Sequence, residues 1–270
     1  MIWLRKARLG FHLLRGICSC ALVMPWCGAE GRRRRIRAWS RKLLRLCGIE
    51  VEVIGPGGAG GDRPPHGALL VSNHISWLDI YVIHSWQPAR FVAKSEIRSW
   101  PVIGWLCDQT GTIFIERGRK RDAHRVLHYI TDVMLQGDLV CLFPEGTTTD
   151  GSRVLPFHAN LMQAPLSAGL PVLPVGLRYV DARSENPTTA PAYIDELTLA
   201  QCLDAVLRAG GIKAQLVIGE PLSPGSASRR EVAEAAREQV VELCGARRDP
   251  VGADTNADLE MSASSEGVTA

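Results

Sequence analysis

From residue 49 onward, short apolar runs alternate with stretches of helical spacing. Ile49–Ile54 reads as a strand, Gly55–Gly67 as a Gly/Pro loop, and Ala68–Ser72 as a continuous, mostly apolar strand. Ser76–Trp86 has helical spacing with Ser76 as its cap. Phe91–Ala93 and Gly111–Ile115 read as strands around a turn-rich segment containing Pro101 and Gly104. Over Arg119–Leu135 the apolar residues Ala123, Val126, Leu127, Ile130, Val133 and Met134 recur at helical spacing, which predicts an amphipathic helix with that face inward. Leu139–Phe143, Val172–Leu177 and Ala214–Ile218 read as buried strands, and Ser228–Val241 as a closing helix. Strands alternating with helices predict an α/β fold with a mainly parallel central sheet flanked by helices. After Gly245 the chain turns small and polar, so residues 246–270 are expected to form a disordered tail.

The first 48 residues read differently. The apolar stretch 11–27 is interrupted by His12 and Arg15 and is shorter than the roughly 20 apolar residues that span a bilayer. A cleaved signal peptide fits its basic lead, but no small-x-small cleavage site follows, and the arginine cluster that does follow opposes export. In Arg32–Leu46, the residues Ile36, Trp39, Leu43, Leu44 and Leu46 fall on one helical face among cations. That is the pattern of a basic amphipathic helix lying in an anionic membrane surface; a solvated arginine-rich helix is the plainer alternative.

Charge sharpens this division. Up to Arg45 there are twelve Lys and Arg against the single acid Glu30, a net of +11 in a chain whose formal net charge is +3. The body therefore carries about −8, and the front is built to meet something anionic. A nucleic-acid partner is disfavoured, because no aromatic-rich sheet or reading-helix pattern accompanies the arginines. The expected layout is a membrane-anchoring helical segment over 1–48, a catalytic domain over 49–245, and the tail.

The eight cysteines include no C-x-x-C pair, so no zinc knuckle or redox motif is indicated. Cys107 and Cys141 lie in apolar runs and read as small core residues. His124 and His128 have the i, i+4 spacing of a zinc-holding helix, but without the glutamate of His-Glu-x-x-His. No metal site is expected, and a metal-dependent hydrolase is a minor alternative.

Four short segments carry candidate chemistry. In Ser72-Asn-His-Ile-Ser-Trp-Leu-Asp79, His74 follows a buried strand and Asp79 opens the next helix. A carboxylate that orients one ring nitrogen leaves the other to take a proton from a hydroxyl. No Gly-x-Ser-x-Gly elbow supports a serine nucleophile. Gly111-Thr-Ile-Phe-Ile-Glu-Arg117 ends a strand in a planar cation. Phe143-Pro-Glu-Gly-Thr-Thr-Thr-Asp150 follows a strand with a tight turn whose amides, with Thr147 and Thr148, are expected to offer donors to an anionic or polar acceptor headgroup. Leu173-Pro174-Val175 places a proline inside an apolar run, which predicts an irregular or edge strand. Each also has a purely structural reading when taken alone.

Together and in this order, His-x4-Asp, Gly-x-Ile-Phe-Ile-x-Arg, Phe-Pro-Glu-Gly-Thr and the Pro-Val strand resemble the motif set of the glycerolipid acyltransferase family. The segment Ala93–Ile97 with Pro101 and Gly104 is similar to that family's stretch between the first two motifs, and the resemblance covers about residues 70–180. It implies an O-acyltransferase with His74 as general base and Asp79 as its orienting carboxylate. Lys94 and Arg117 would hold an anionic acceptor headgroup, and Glu145, Gly146 and Thr147 would shape the acceptor site. It also implies no cofactor or metal, an acyl carrier protein or coenzyme A thioester as acyl donor, a lysolipid acceptor, and work at the cytoplasmic face of a bacterial inner membrane. One residue departs from the pattern: phosphate-binding members commonly continue Glu-Gly-Thr with arginine, and here Thr148 stands there. Losing a guanidinium removes a charge-assisted phosphate partner. Lyso-ornithine lipid acyltransferases are similar in carrying threonine, so the acceptor stays open between lysophosphatidate and lyso-ornithine lipid. A non-catalytic membrane scaffold is the competing class, and the intact His74–Asp79 pair argues against it.

Overall fold

The structure, a computed structural model, describes residues 2–55, 65–116, 120–223 and 225–249. Its centre is set by strands that are apolar on both faces, as a sheet covered on both sides requires. These are β2 (Ala68–Ser72), β5 (Leu139–Leu142) and the first half of β7 (Val172–Asp181); β8 (Ile212–Ile218) beside them is apolar on one face and carries Lys213 and Gln215 on the other. With β1 (Ile49–Ile54), β3 (Arg90–Lys94) and β4 (Ile113–Ile115) they form a seven-stranded sheet in the order β1-β8-β7-β2-β5-β3-β4. All pairings are parallel except β7 with β8.

Period-two alternation sends neighbouring residues of each strand to opposite layers. Leu70, Cys141, Leu173, Leu177 and Leu216 pack with α2 (Ala29–Cys47), α3 (Asp79–Trp86) and α7 (Leu199–Ala209). Leu69, Val71, Val140 and Leu142 pack with α5 (Lys120–Leu135) and α8 (Arg229–Cys244) on the other side, next to the short α6 (Gln163–Ala168). On α5 the inward residues include Ile130, Val133 and Met134, as its spacing predicts. α8 lies so close to β7 that a Cβ at Gly176 would sit 2.7 Å from the Cys244 nitrogen. A second, two-stranded sheet pairs β6 (Arg153–Val154) with β9 (Arg247–Arg248). Of the expected tail, residues 246–249 are thus ordered, and the remainder lies outside the described residues.

Several expectations are corrected. α3 starts at Asp79 rather than beside Ser76, because the Asp79 carboxylate itself takes the Ile75 and Ser76 N–H groups at 2.7 and 2.9 Å. Pro174 lies in a central strand, not an edge strand. Its carbonyl accepts from Gly219 at 2.9 Å, and its missing N–H faces the same side, beyond Ile218, where the β7–β8 register begins at Val175. Helix α7 carries no signal strong enough to be read beforehand, although a capping box of Thr198 and Gln201 starts it. Cys107 is half exposed, whereas Cys141 is buried.

The N-terminus departs most. Residues 2–22 form one helix, α1, which packs against α2, α7 and α4 (Ile103–Gln109). The α2 stripe expected to face lipid is turned inward: Leu43, Leu44 and Cys47 are buried in the domain core, with Trp39 and Leu46 packed against it. Most helical stability in a folded protein comes from packing an amphipathic face, and here the domain core claims that of α2. Part of the arginine cluster is likewise engaged by protein. Arg33 reaches Asp138 at 2.9 Å, and Arg41 donates to the Ser85 carbonyl at 2.8 Å. No helix among the described residues is long and apolar enough to cross a membrane.

Candidate active site

Strand β2 ends in Ser72, and Asn73 fixes the exit. Its buried amide accepts from Leu177 N and donates to Leu177 O, both at 2.8 Å, which welds the strand end to β7. His74 follows. Its Nδ1 lies 2.8 Å from Asp79 Oδ2, with the Asp79 side chain 0% and the His74 side chain 20% exposed. Asp79 is fully committed: Oδ2 also accepts from Ile75 N and Ser76 N, and Oδ1 from the Tyr179 hydroxyl at 2.7 Å. A carboxylate oxygen only accepts, so the hydrogen bond assigns the proton to Nδ1 and leaves Nε2 as the basic nitrogen.

The turn after β5 completes the surroundings. The Phe143 ring stacks on the imidazole at a centroid distance of 3.9 Å. Gly146, at φ 71°, allows the turn that its N–H closes on the Phe143 carbonyl at 3.1 Å. Glu145 is buried and bridges two backbone amides, His74 N at 2.7 Å and Leu155 N at 2.8 Å. Thr149 N donates to His74 O at 2.9 Å. Both main-chain groups of the histidine are therefore held by this one turn. Burial pushes the Glu145 carboxyl up to about 7, with nearby Asp79 adding to the rise against the two amide bonds and Arg237.

Behind Glu145 stands Arg237 of α8, a 0% exposed guanidinium. It donates through Nη2 to Val154 O at 2.9 Å and Asp249 O at 2.6 Å. A hydrogen-bonded line thus runs from α8 through 154–155 and Glu145 to the backbone of His74. Neither Arg237 nor Tyr179 is visible as a site residue in the sequence, since each is far in the chain and belongs to no motif. Only its count as a charge in an Ala-rich helix marks Arg237.

The remaining predicted residues fall around the same edge. Because β2, β5, β3 and β4 are all parallel, their carboxyl ends share one side of the sheet, where open α/β sheets bind ligands. Lys94 ends β3 there and is exposed. Thr147 is exposed on the turn, but the Thr148 hydroxyl donates to Tyr193 O and so is spent on the backbone. Tyr193 N in turn donates to Ile75 O at 2.9 Å, pinning segment 191–194 beside the site. Arg117 lies outside the described residues; the strand that leads to it, β4, ends at Ile115. His124 and His128 are exposed on α5, and among the described residues no three His, Cys, Asp or Glu side chains are grouped to hold a metal ion.

This arrangement suits an enzyme that takes a proton from a substrate hydroxyl. The acyltransferase family model matches residues 60–178. The chain is 35% identical to 1-acyl-sn-glycerol-3-phosphate acyltransferase of Neisseria meningitidis over 75% of its length and 73% of that protein. It is 34% identical to lyso-ornithine lipid O-acyltransferase of Pseudomonas aeruginosa, over 88% of its length and 91% of that protein. The chain belongs to the acyltransferase family. Its fold is similar to that of the 1-acyl-sn-glycerophosphate (LPA) acyltransferase PlsC from Thermotoga maritima, with a TM-score of 0.55 at 22% identity over 90% of this chain and 98% of that one.

Proposed function

We propose that this enzyme transfers a fatty acyl chain from an acyl carrier protein or coenzyme A thioester to the hydroxyl of a lysolipid, with lysophosphatidate becoming phosphatidate. The observation that carries this reading is the His74–Asp79 pair, buried on the Asp79 side and open on the other. His74 Nε2 removes the acceptor's hydroxyl proton as that oxygen attacks the thioester carbonyl. The carbon–sulfur bond then breaks, and the imidazolium returns the proton to the leaving thiolate. Asp79 holds the ring and stabilises its charged form. Lys94 and Arg117 serve the acceptor headgroup, with Glu145, Gly146 and Thr147 shaping the site around it. The basic N-terminal helices hold the enzyme at the cytoplasmic face of a bacterial inner membrane.

A second acceptor, lyso-ornithine lipid, is favoured by Thr148. A neutral side chain bonded to Tyr193 O stands where a phosphate-binding arginine would be, and the similarity to proteins named for that lipid extends over 88% and 91% of this chain. Purified enzyme with acyl carrier protein thioester, offered each lysolipid separately, decides between them. Phosphatidate formation supports the first reading, and ornithine lipid alone supports the second. Thioester consumption with neither acceptor would refute both.

A further inference from the structure

The segment after Lys94 has an unusual surface. A 3-10 turn, Ser95–Ser99, leads into Trp100-Pro101-Val102 and then α4. Trp100 is 47% exposed and Val102 52%, and Ile103 and Trp105 also face out. Four of six consecutive residues are thus large, apolar and wet, which an ordinary soluble surface does not maintain.

The backbone of this segment is closely specified. Val102 is β-branched yet sits at φ 65°, ψ −47°, a conformation that such residues adopt only when their surroundings impose it. Ile103 N bonds Pro101 O at 2.7 Å, Gly104 N bonds Trp100 O at 2.9 Å, and Leu106 N bonds Val102 O at 2.9 Å. At Gly104 a Cβ would stand 2.1 Å from Arg98 O, so α4 can fold back onto the 3-10 turn only with glycine there.

α4 packs against α1, which carries apolar residues on two opposite faces. Leu9, His12, Gly16 and Cys20 face the protein, and Trp3, Leu4, Phe11, Leu14 and Leu22 face away, Trp3 being 81% exposed. Leu4, Phe11 and Leu22 recur at steps of seven and eleven, one side of a helix, with Arg8 and Arg15 beside them. In the segment that leads to the wedge Lys94 and Arg98 are exposed, with Arg98 paired to Asp108 of α4 at 3.7 Å and Glu96 exposed between them. Exposed tryptophan and aliphatic residues beside Arg8, Arg15 and Lys94 match an anionic lipid surface rather than a protein groove.

We infer that Trp100, Val102, Ile103 and Trp105 form a second, apolar wedge that enters the bilayer beside the outward face of α1. β3 leads directly into the wedge and ends at the same sheet edge as His74, so insertion brings that edge to the lipid surface, where a lysolipid can enter sideways. The inference rests on the reading that the acceptor is a lysolipid.

The test uses full-length enzyme and vesicles of phosphatidylethanolamine and phosphatidylglycerol, part of it brominated on the acyl chains to quench tryptophan at depth. Wild type is expected to be quenched, and W100F/W105F to bind equally but lose a measurable share of the quenching. Equal fractional quenching in the two would overturn the wedge. Separately, V102D/I103D is expected to weaken vesicle partitioning roughly tenfold, as lost apolar burial at the interface should. Acylation of a short-chain lysolipid in vesicle-free solution should be preserved. If both activities fell together, the segment would belong to the substrate site instead. Failure of wild type to acylate any lysolipid while quenching behaves as expected would sink the catalytic reading and leave the wedge standing.

Discussion

The imidazole of His74 lies flat on the ring of Phe143, with centroids 3.9 Å apart and planes 7° from parallel. Asp79 fixes the ring along its edge, and Phe143 fixes it across its face. An aromatic face also favours the imidazolium that forms when the base takes a proton. Phe143→Leu keeps the bulk and loses both effects, so kcat should fall by about tenfold, equivalent to about 1.4 kcal/mol. Steady-state kinetics checks this, and an unchanged kcat would make the stacking incidental.

His74→Ala should lower kcat by roughly 10²–10⁴-fold, the usual contribution of general base catalysis. Asp79→Asn should lose comparable activity and some stability as well. An amide cannot accept from His74, Ile75, Ser76 and Tyr179 with both of its polar atoms. Tyr179→Phe removes one of these bonds alone and, since the acceptor is a buried carboxylate, should cost about 2 kcal/mol in urea denaturation.

Glu145 gives a pH dependence of defined sign. Its carboxyl is pushed from the ordinary 4.5 up to about 7 in the folded protein. A raised folded value favours the protonated form on folding, so its contribution is fully present below about pH 4.5 and is lost as pH rises through 7. Wild type should therefore lose stability relative to Glu145→Gln between pH 5 and 8. Urea midpoints of both proteins at the two pH values measure this, and a gap that widens in favour of wild type would contradict it.

Arg237 holds two backbone carbonyls with one buried guanidinium. Arg237→Leu should lower stability by about 2 kcal/mol, the scale of a charged hydrogen bond. It should reduce kcat more than it raises KM, because the line it anchors ends on the backbone of His74 and not on the substrate. Equal loss in both parameters would place it elsewhere.

Most of the sheet and the His74–Asp79 pair were legible in the sequence, since both are local. Continuous apolar runs such as Ala68–Ser72 mark covered strands, and five residues of chain bring a carboxylate back to a histidine. What escaped is long-range. Tyr179 meets Asp79 across 100 residues and Arg237 meets Val154 across 83, and no periodicity records such meetings. The α2 stripe failed for a related reason. An amphipathic face announces that it will be covered, and here the protein's own core covers it, leaving the outward face of α1 to solvent or lipid.

The pairing of β1 with β8 bears on how the chain is made. Ile49–Ile54 cannot be paired until Ile212–Ile218 has been synthesised. Closing so long a loop is slow, because its entropy is lost before the contacts form. During translation α1 and α2, with a net charge of +11 up to Arg45, therefore leave the ribosome before α7 and the closing β1–β8 pair exist. The order of synthesis alone presents that charge before the sheet is complete.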